Sequence, residues 1–265
     1  MSCDLAVVFD VAGTLMEMFR VAKDLGRDTI IKGVVTTDLV MEKDGRALVV
    51  PQIDPSEIMN ASPYTPLNSF FKGKERYVKI SCSSTPISEV EACSILINSE
   101  DEVSNLQETL STVFDHCPQF YYTAGVIVDV ELKKVVYSIS TGGRPFSDLP
   151  DVLNYLKDAG AEIYVASGDS KRSLSVISSY MGINQDHIYP VSTPRRKEEI
   201  VLKLKNRCNQ VVMVGDGLND IYALRAADLG VLTIQQDSRP SNDLIKAADV
   251  VINNIVELPN LLNGI

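Results

Sequence analysis

The chain has 265 residues, of which 45% are hydrophobic and 23% charged, an ordinary globular composition with room for one large domain or two moderate ones. Acidic residues outnumber basic ones by 35 to 25, and the resulting net charge of −10 argues against nucleic acid and anionic membranes as general partners. A small phosphorylated ligand is still compatible with this charge, because a local cation can reverse the field inside one pocket.

The sequence shows no sign of membrane insertion or secretion. It has no apolar run of about 18 residues, and its start, Met1-Ser-Cys-Asp4, is not a basic region followed by an apolar stretch. The 5 cysteines form no Cys-x-x-Cys pair, and with only 2 histidines present they do not suggest a zinc site. We therefore expect reduced, structural thiols in a cytoplasmic protein.

Strands and helices are predicted to alternate at the start and in the second half of the chain. Residues 5–9 form a continuous apolar run bounded by polar residues, which is typical of a strand covered on both faces. Further strands are predicted at 162–166, 211–214, 229–233 and 249–252, and helices at 149–159, 170–181, 197–206, 220–227 and 242–247. This alternation predicts an α/β fold, a Rossmann-like doubly wound parallel sheet with helices on both faces.

The middle of the chain has a different pattern. Strands are predicted at 29–40 and 47–50, joined by a turn at 43–46, at 77–82 and 92–97, and as a hairpin at 125–130 and 135–140. Residues 51–76 contain 4 prolines and predict loop and short helix, and 102–114 predict an amphipathic helix. We interpret residues 17–141 as an α+β domain inserted into a sheet domain formed by 1–16 and 142–265.

Four loops at the carboxyl ends of predicted core strands collect the polar residues of interest. They span 10–15, 167–169, 194–197 and 215–220. Ligands bind at this edge of an open parallel sheet, although each loop taken alone is better explained as a helix cap, a turn or a surface lysine. The last loop is the exception, because Asp216 and Asp220 would repel each other unless a cation lies nearby. Convergence of Asp10 and Asp216 on Mg²⁺, which prefers oxygen ligands, is the simplest solution.

Together these loops resemble the four motifs of the haloacid dehalogenase superfamily, in order and in the right strand context. The resemblance covers residues 5–16 and about 142–253, and it is strongest to the phosphorylation domain of P-type ATPases. The residues that carry it are Gly143-Arg-Pro145, Leu156-Lys-Asp-Ala-Gly160, Ser167-Gly-Asp169, Pro194-x-x-Lys197, Gly215-Asp-Gly-x-Asn-Asp220 and Ala226-Ala-Asp-Leu-Gly230. The resemblance implies a sheet core with a cap domain inserted between the first and second motifs, where some members carry a nucleotide-binding domain instead.

The resemblance also implies a nucleophile and a metal site. Asp10 would attack phosphorus in line and form an aspartyl-phosphate. Asp216 would bind Mg²⁺ together with the Asp10 carboxylate and the backbone carbonyl of Ala12. Asp220 would bind the metal through water or orient Lys197.

Three matching residues would hold the transferred group. Ser167 and the amide of Gly168 would bind the phosphoryl oxygens, and Lys197 would neutralise charge on the nucleophile and the phosphate. This agrees with the chemistry, since phosphoryl transfer depends chiefly on positioning and counter-charge.

Ala12 departs from the family pattern. Most phosphatases that resemble this family carry an aspartate here, which protonates the leaving alcohol, and P-type ATPases carry a threonine. General acid–base catalysis contributes about 10²–10⁴-fold. Its loss therefore favours a substrate with a good leaving group, such as an acyl phosphate or a phosphoanhydride.

The leading hypothesis is a Mg²⁺-dependent phosphohydrolase or phosphotransferase that acts on a small phosphorylated metabolite. One alternative is a carbon–phosphorus hydrolase, because Asp-x-Ala-Gly-Thr is similar to the first motif of phosphonoacetaldehyde hydrolases. Those enzymes use a cap-domain lysine as a Schiff base, and Lys23, Lys32 and Lys43 lie in the corresponding region. Their caps are helical, however, whereas this insertion is predicted to be strand-rich. The other alternative is a catalytically weak module that binds Mg²⁺ and phosphate. No oligomeric state is predicted.

Overall fold

The computed structural model describes residues 3–117, 121–169, 171–236 and 239–262. The chain divides into two compact units, one formed by Met1–Met18 and Arg144–Ile265, the other by Phe19–Gly143. Within the described ranges, no helix combines the length and apolar character that crossing a membrane requires.

The strands and helices follow one another along the whole chain. The strands are β1 (Cys3–Phe9), β2 (Met16–Asp24), β3 (Thr29–Lys32), β4 (Arg46–Pro51), β5 (Val78–Ser83), β6 (Tyr121–Asp129), β7 (Lys134–Pro145), β8 (Glu162–Ala166), β9 (Ile188–Tyr189), β10 (Cys208–Gly215), β11 (Leu229–Thr233) and β12 (Val250–Ile252). The α-helices are α1 (Thr36–Met41), α2 (Pro55–Asn60), α3 (Leu67–Phe71), α4 (Glu89–Leu96), α5 (Ser104–His116), α6 (Leu149–Asp158), α7 (Lys171–Met181), α8 (Pro194–Lys205), α9 (Ile221–Ala226), α10 (Asn242–Ile245) and α11 (Leu258–Leu262). Short 3₁₀ helices lie at Glu75–Tyr77, Gln185–His187, Leu218–Asp220 and Ile255–Glu257.

The first unit is built on a parallel sheet with the strand order β12-β11-β10-β1-β8-β9. The central strand β1 is buried on both faces, as its unbroken apolar run predicts. On one face, Ala6 and Val8 pack in a cluster with Ile200 and Leu204 of α8. The predicted fold class is confirmed, and the core strands 162–166 and 229–233 have the predicted bounds.

The second unit contains an antiparallel sheet with the order β3-β2-β7-β6-β4-β5. Its main core packs Val49 and Val126 of the sheet against Leu96 of α4 and Leu106 and Leu110 of α5. The predicted hairpin of β6 and β7 is confirmed, with Asp129 opposite Lys134 across the turn. The amphipathic helix predicted at 102–114 is also present as α5.

Two strand predictions in this unit are wrong. Residues 36–40, predicted as part of a strand, belong to α1. The 43–46 turn does not join a hairpin, since β3 pairs with β2 while β4 pairs with β5 and β6. Residues 92–97 were also predicted as a strand, but most of them belong to α4. That helix begins at Glu89 and is capped by the Ser88 side chain, which accepts from the Glu91 backbone N–H at 3.1 Å. Its buried residues are Ala92, Cys93, Ile95 and Leu96, so an apolar cluster resembling a strand in sequence is one face of a helix.

The cysteine prediction is wrong for one pair. Cys3 and Cys208 form a disulfide between residues 205 positions apart in the sequence. They face each other where β1 and β10 begin, with 4.3 Å between their Cα atoms. Cys82, Cys93 and Cys117 are not disulfide-bonded. Only the pairing of two distant strands brings these two sulfurs together, so sequence spacing gave no sign of the bond.

Candidate active site

The register of the parallel sheet fixes where Asp10 lies. In β1, Phe9 pairs with Val214 of β10 on one side and with Val165 of β8 on the other. Asp10 follows directly, and its backbone N–H donates to the Val214 carbonyl at 2.9 Å. The carboxyl ends of β1, β8 and β10 therefore share one edge, and the first, second and fourth loops begin there.

Lys197 reaches this edge from the first turn of α8. Pro194 occupies the start of the helix, and the Thr193 side chain caps it by accepting from the Arg196 backbone N–H. The Lys197 side chain is fully buried, and its Nζ donates to Asp10 Oδ1 at 2.5 Å and to Asp220 Oδ1 at 2.7 Å. Burial by itself would lower the pKa of Lys197, but the two carboxylates outweigh it and raise that pKa above its ordinary value. The lysine is therefore held as a cation between two acids.

Asp10, Asp216 and Asp220 form a cluster in which carboxylate oxygens lie within 4.8 Å of one another. The second oxygen of Asp220 accepts from the backbone N–H groups of Asp216 and Gly217, each at 3.2 Å. Burial, followed by the negative charges of Asp220 and Asp216, raises the pKa of Asp10 well above its ordinary value against the opposing effect of Lys197. The mutual repulsion of these three carboxylates favours a cation bound among them. An all-oxygen donor set suits Mg²⁺.

Two glycines permit this close approach of carboxylates. Gly13 has a φ of +75°, and a Cβ atom on it would lie 1.9 Å from Asp216 Oδ2. A Cβ atom on Gly215 would lie 2.5 Å from Asp220 Cγ. At both positions the acids themselves occupy the space that a side chain would need.

Both backbone groups of Ser167 are hydrogen-bonded. Its backbone N–H donates to the Tyr189 carbonyl at 3.2 Å, and its own carbonyl accepts from the Ser192 N–H at 2.8 Å. Its hydroxyl is buried and donates to Asp169 Oδ2 at 2.8 Å. Gly168 is exposed. Ser167 and Asp10 directly follow the paired strands β8 and β1 and therefore lie at the same edge of the sheet.

The loop that follows β1, residues 10–15, folds around a single carbonyl. The Val11 carbonyl accepts from the backbone N–H groups of Thr14, Leu15 and Met16 at 3.3, 2.9 and 2.9 Å. Ala12 is half-buried and contributes no acidic or hydroxyl group to the site. Sequence reasoning missed contacts to this loop from Gln235, which follows β11. The sequence feature that could have identified Gln235 is its place just after the carboxyl end of β11, another strand of the core sheet.

The haloacid dehalogenase-like hydrolase family matches residues 5–228. A "Soluble P-type ATPase-like phosphatase" of Methanocaldococcus jannaschii is 31% identical over 258 residues, covering 97% of this chain and 92% of the relative. The "Probable copper-importing P-type ATPase A" of Enterococcus hirae is 32% identical over 99 residues, covering 37% of this chain and 14% of the ATPase. This chain therefore spans only a small part of that ATPase.

Among solved structures, a phospho-aspartyl intermediate analogue of phosphoserine phosphatase aligns over 100% of both chains, at 16% identity and a TM-score of 0.45. The catalytic domain of the CPx-ATPase CopB-B aligns over 99% of this chain and 89% of its own, at 17% identity and a TM-score of 0.45. The family matches most of the chain, and the Methanocaldococcus relative aligns over nearly the full length of both proteins. The chain therefore belongs to the haloacid dehalogenase-like hydrolase family and is an enzyme of that family.

Proposed function

We propose that this protein is a Mg²⁺-dependent phosphatase or phosphotransferase that acts on a small phosphorylated metabolite through an aspartyl-phosphate on Asp10. The observation that carries the proposal is the buried Lys197 ammonium bound to both Asp10 and Asp220, beside the Asp216 carboxylate. Such a cluster holds a carboxylate nucleophile in a fixed place with counter-charge beside it, which is what phosphoryl transfer requires.

Asp10, Asp216, Asp220 and the Ala12 carbonyl would hold the Mg²⁺ ion, which when bound supplies positive charge to the phosphoryl oxygens. Lys197 donates a hydrogen bond to one oxygen of the Asp10 carboxylate, and the other oxygen would attack phosphorus. The new O–P bond forms as the bond to the leaving group breaks, with the electron pair going to the leaving group. Water or a second acceptor then takes the phosphoryl group and frees the carboxylate.

Ala12 sets the expected leaving group. No acid stands at this position to protonate a departing alkoxide, so ester hydrolysis forgoes a contribution of about 10²–10⁴-fold. An acyl phosphate releases a carboxylate and a phosphoanhydride releases a phosphate, and neither needs a proton at pH 7. We therefore propose these two substrate classes, and residues 17–141 as the cap that selects among them.

The lysines of the second unit argue against a Schiff-base mechanism, which requires a neutral amine. Burial would lower the pKa of Lys23, but hydrogen bonds to Asp28 and Glu108 raise it. Hydrogen bonds to Asp129 and Glu131 raise the pKa of Lys43. The third candidate, Lys32, is exposed on β3. The carbon–phosphorus hydrolase alternative therefore gains no support from these residues.

The name of the Methanocaldococcus relative supports a phosphatase that acts apart from a membrane pump. A cytoplasmic location belongs to this proposal as well. The exclusion of nucleic acid and anionic membranes as general partners is also part of it and rests on the net charge of −10.

Radiolabelled acetyl phosphate with Mg²⁺ tests the nucleophile. We expect the wild type to become labelled and Asp10→Asn to remain unlabelled. Asp4→Asn provides a matched control, because Asp4 is an exposed aspartate at the other end of β1. Equal labelling of Asp10→Asn and wild type would refute the nucleophile, and no labelling of the wild type would favour a binding module.

Ala12→Asp tests the leaving group. It restores a proton donor two residues after the nucleophile, so turnover of alkyl phosphates should rise by on the order of 10²-fold while turnover of acetyl phosphate changes little. A wild type that already hydrolyses alkyl phosphates as fast as acyl phosphates would contradict the proposed substrate classes.

A further inference from the structure

We infer that Gln235 and Gln236 are positioning residues that clamp the backbone of residues 10–18, the loop after β1 and the start of β2, at two points and thereby fix Asp10. Both follow β11, whose carboxyl end lies two strands away from β1 in the sheet order. This inference rests on the proposed function for its kinetic consequence, but the clamp itself is a feature of the fold.

Gln235 holds the middle of the loop. Its Nε2 donates to the Thr14 carbonyl at 2.6 Å and lies 3.5 Å from the Gly13 carbonyl. Its Oε1 accepts from the Ile255 backbone N–H at 2.9 Å, which fixes the amide plane from the opposite side. Gly13 and Thr14 are buried, so this side chain supplies a partner to a carbonyl that water cannot easily reach.

Gln236 holds the far end of the same segment. Its Oε1 accepts from the Met18 N–H and its Nε2 donates to the Met18 carbonyl, both at 2.9 Å. A side-chain amide here takes the place of a neighbouring strand, because it satisfies both backbone groups of one residue. The chain between Asp10 and Met18 is thus bonded from outside at its middle and at its end.

The clamp acts on the nucleophile through Gly13. This residue packs directly against the Asp216 carboxylate, so a shift of the loop would move Asp10 and Asp216 relative to each other. Most other backbone hydrogen bonds of residues 11–16 lie within the segment and would move with it, and one further bond from outside joins the Phe146 N–H to the Leu15 carbonyl at 3.2 Å. Misplacement of a reacting group by about 1 Å can cost on the order of 10²-fold in rate.

Gln235→Met tests the inference, since methionine keeps the length of the side chain and removes its amide. Gln210→Met is the matched control, because Gln210 is a half-buried glutamine near the amino end of β10. We expect the single-turnover rate constant for labelling of Asp10 by acetyl phosphate to fall by about ten-fold or more, with KM within about two-fold of wild type. The rate constant, unlike the labelled fraction, does not depend on how much protein is folded.

Amide hydrogen exchange tests the clamp independently of phosphoryl transfer. The amides of Leu15 and Met16 should exchange faster in Gln235→Met than in Gln210→Met. Equal exchange in the two variants, or a rate constant equal to that of the control, would overturn the inference. If the wild type never becomes labelled, the proposed function and the kinetic role fail together, and the exchange result still decides whether the clamp exists.

Discussion

Replacement of Lys197 by methionine tests the core of the site most directly. Methionine preserves most of the buried aliphatic stem and removes the ammonium that donates to Asp10 and Asp220. All three side chains are almost completely buried, so the two carboxylates lose their counter-charge where water cannot replace it.

The expected cost follows from that burial. Breaking a buried ion pair by removing one partner costs about 3–5 kcal/mol. For a protein of this size, one kcal/mol shifts the unfolding midpoint by about 2–4 °C, so we expect a decrease of about 6–20 °C in the absence of metal. Added Mg²⁺ should recover part of this loss, because it restores positive charge beside the carboxylates. Labelling by acetyl phosphate should fall by at least about 10²-fold.

Differential scanning fluorimetry with and without Mg²⁺ measures the shift. Lys203→Met is the matched control, because Lys203 is exposed on the same helix. The double variant Lys197→Met with Asp220→Asn should be more stable than Lys197→Met alone, since it removes one of the two buried carboxylate charges that have lost their counter-charge. A midpoint for Lys197→Met equal to that of the control, or a double variant that is less stable still, would refute the argument.

Three further outcomes are expected. Gly13→Ala forces a side chain into the space of the Asp216 carboxylate at a φ of +75°, so it should destabilise the protein by about 1–3 kcal/mol in urea denaturation and abolish labelling; unchanged labelling would contradict the packing. Burial would raise the pKa of Asp129, but its lysine partner and the backbone N–H groups of the turn lower it. Its contribution to stability is therefore present above the ordinary pKa and lost as the pH falls through the lower folded value. Asp129→Asn should differ from wild type most at neutral pH, and the difference should shrink as the pH falls below about 4 in denaturation curves. Reduction of the Cys3–Cys208 bond should lower the free energy of unfolding of the wild type by about 2–5 kcal/mol and leave Cys3→Ser unaffected, as denaturation with and without a reductant would show.

The sequence predicted the core sheet well for a physical reason. Parallel strands covered on both faces need continuous apolar runs, and residues 162–166 and 229–233 show them with clear polar boundaries. The inserted unit was harder to predict, because its short strands and short helices carry similar apolar clusters. Residues 89–96 became a helix through the Ser88 cap and the core that it packs against, neither of which the apolar pattern alone reveals.

The sequence by itself determined the family, the fold class and the presence of acids and a lysine in loops at strand ends. Only the tertiary structure decided how these residues meet. Lys197 contacts Asp10 across 187 positions of sequence, and Gln235 reaches Thr14 across 221. Local patterns encode which residues enter a strand or a helix, whereas contacts at such separations depend on sheet order and register, which the whole fold sets.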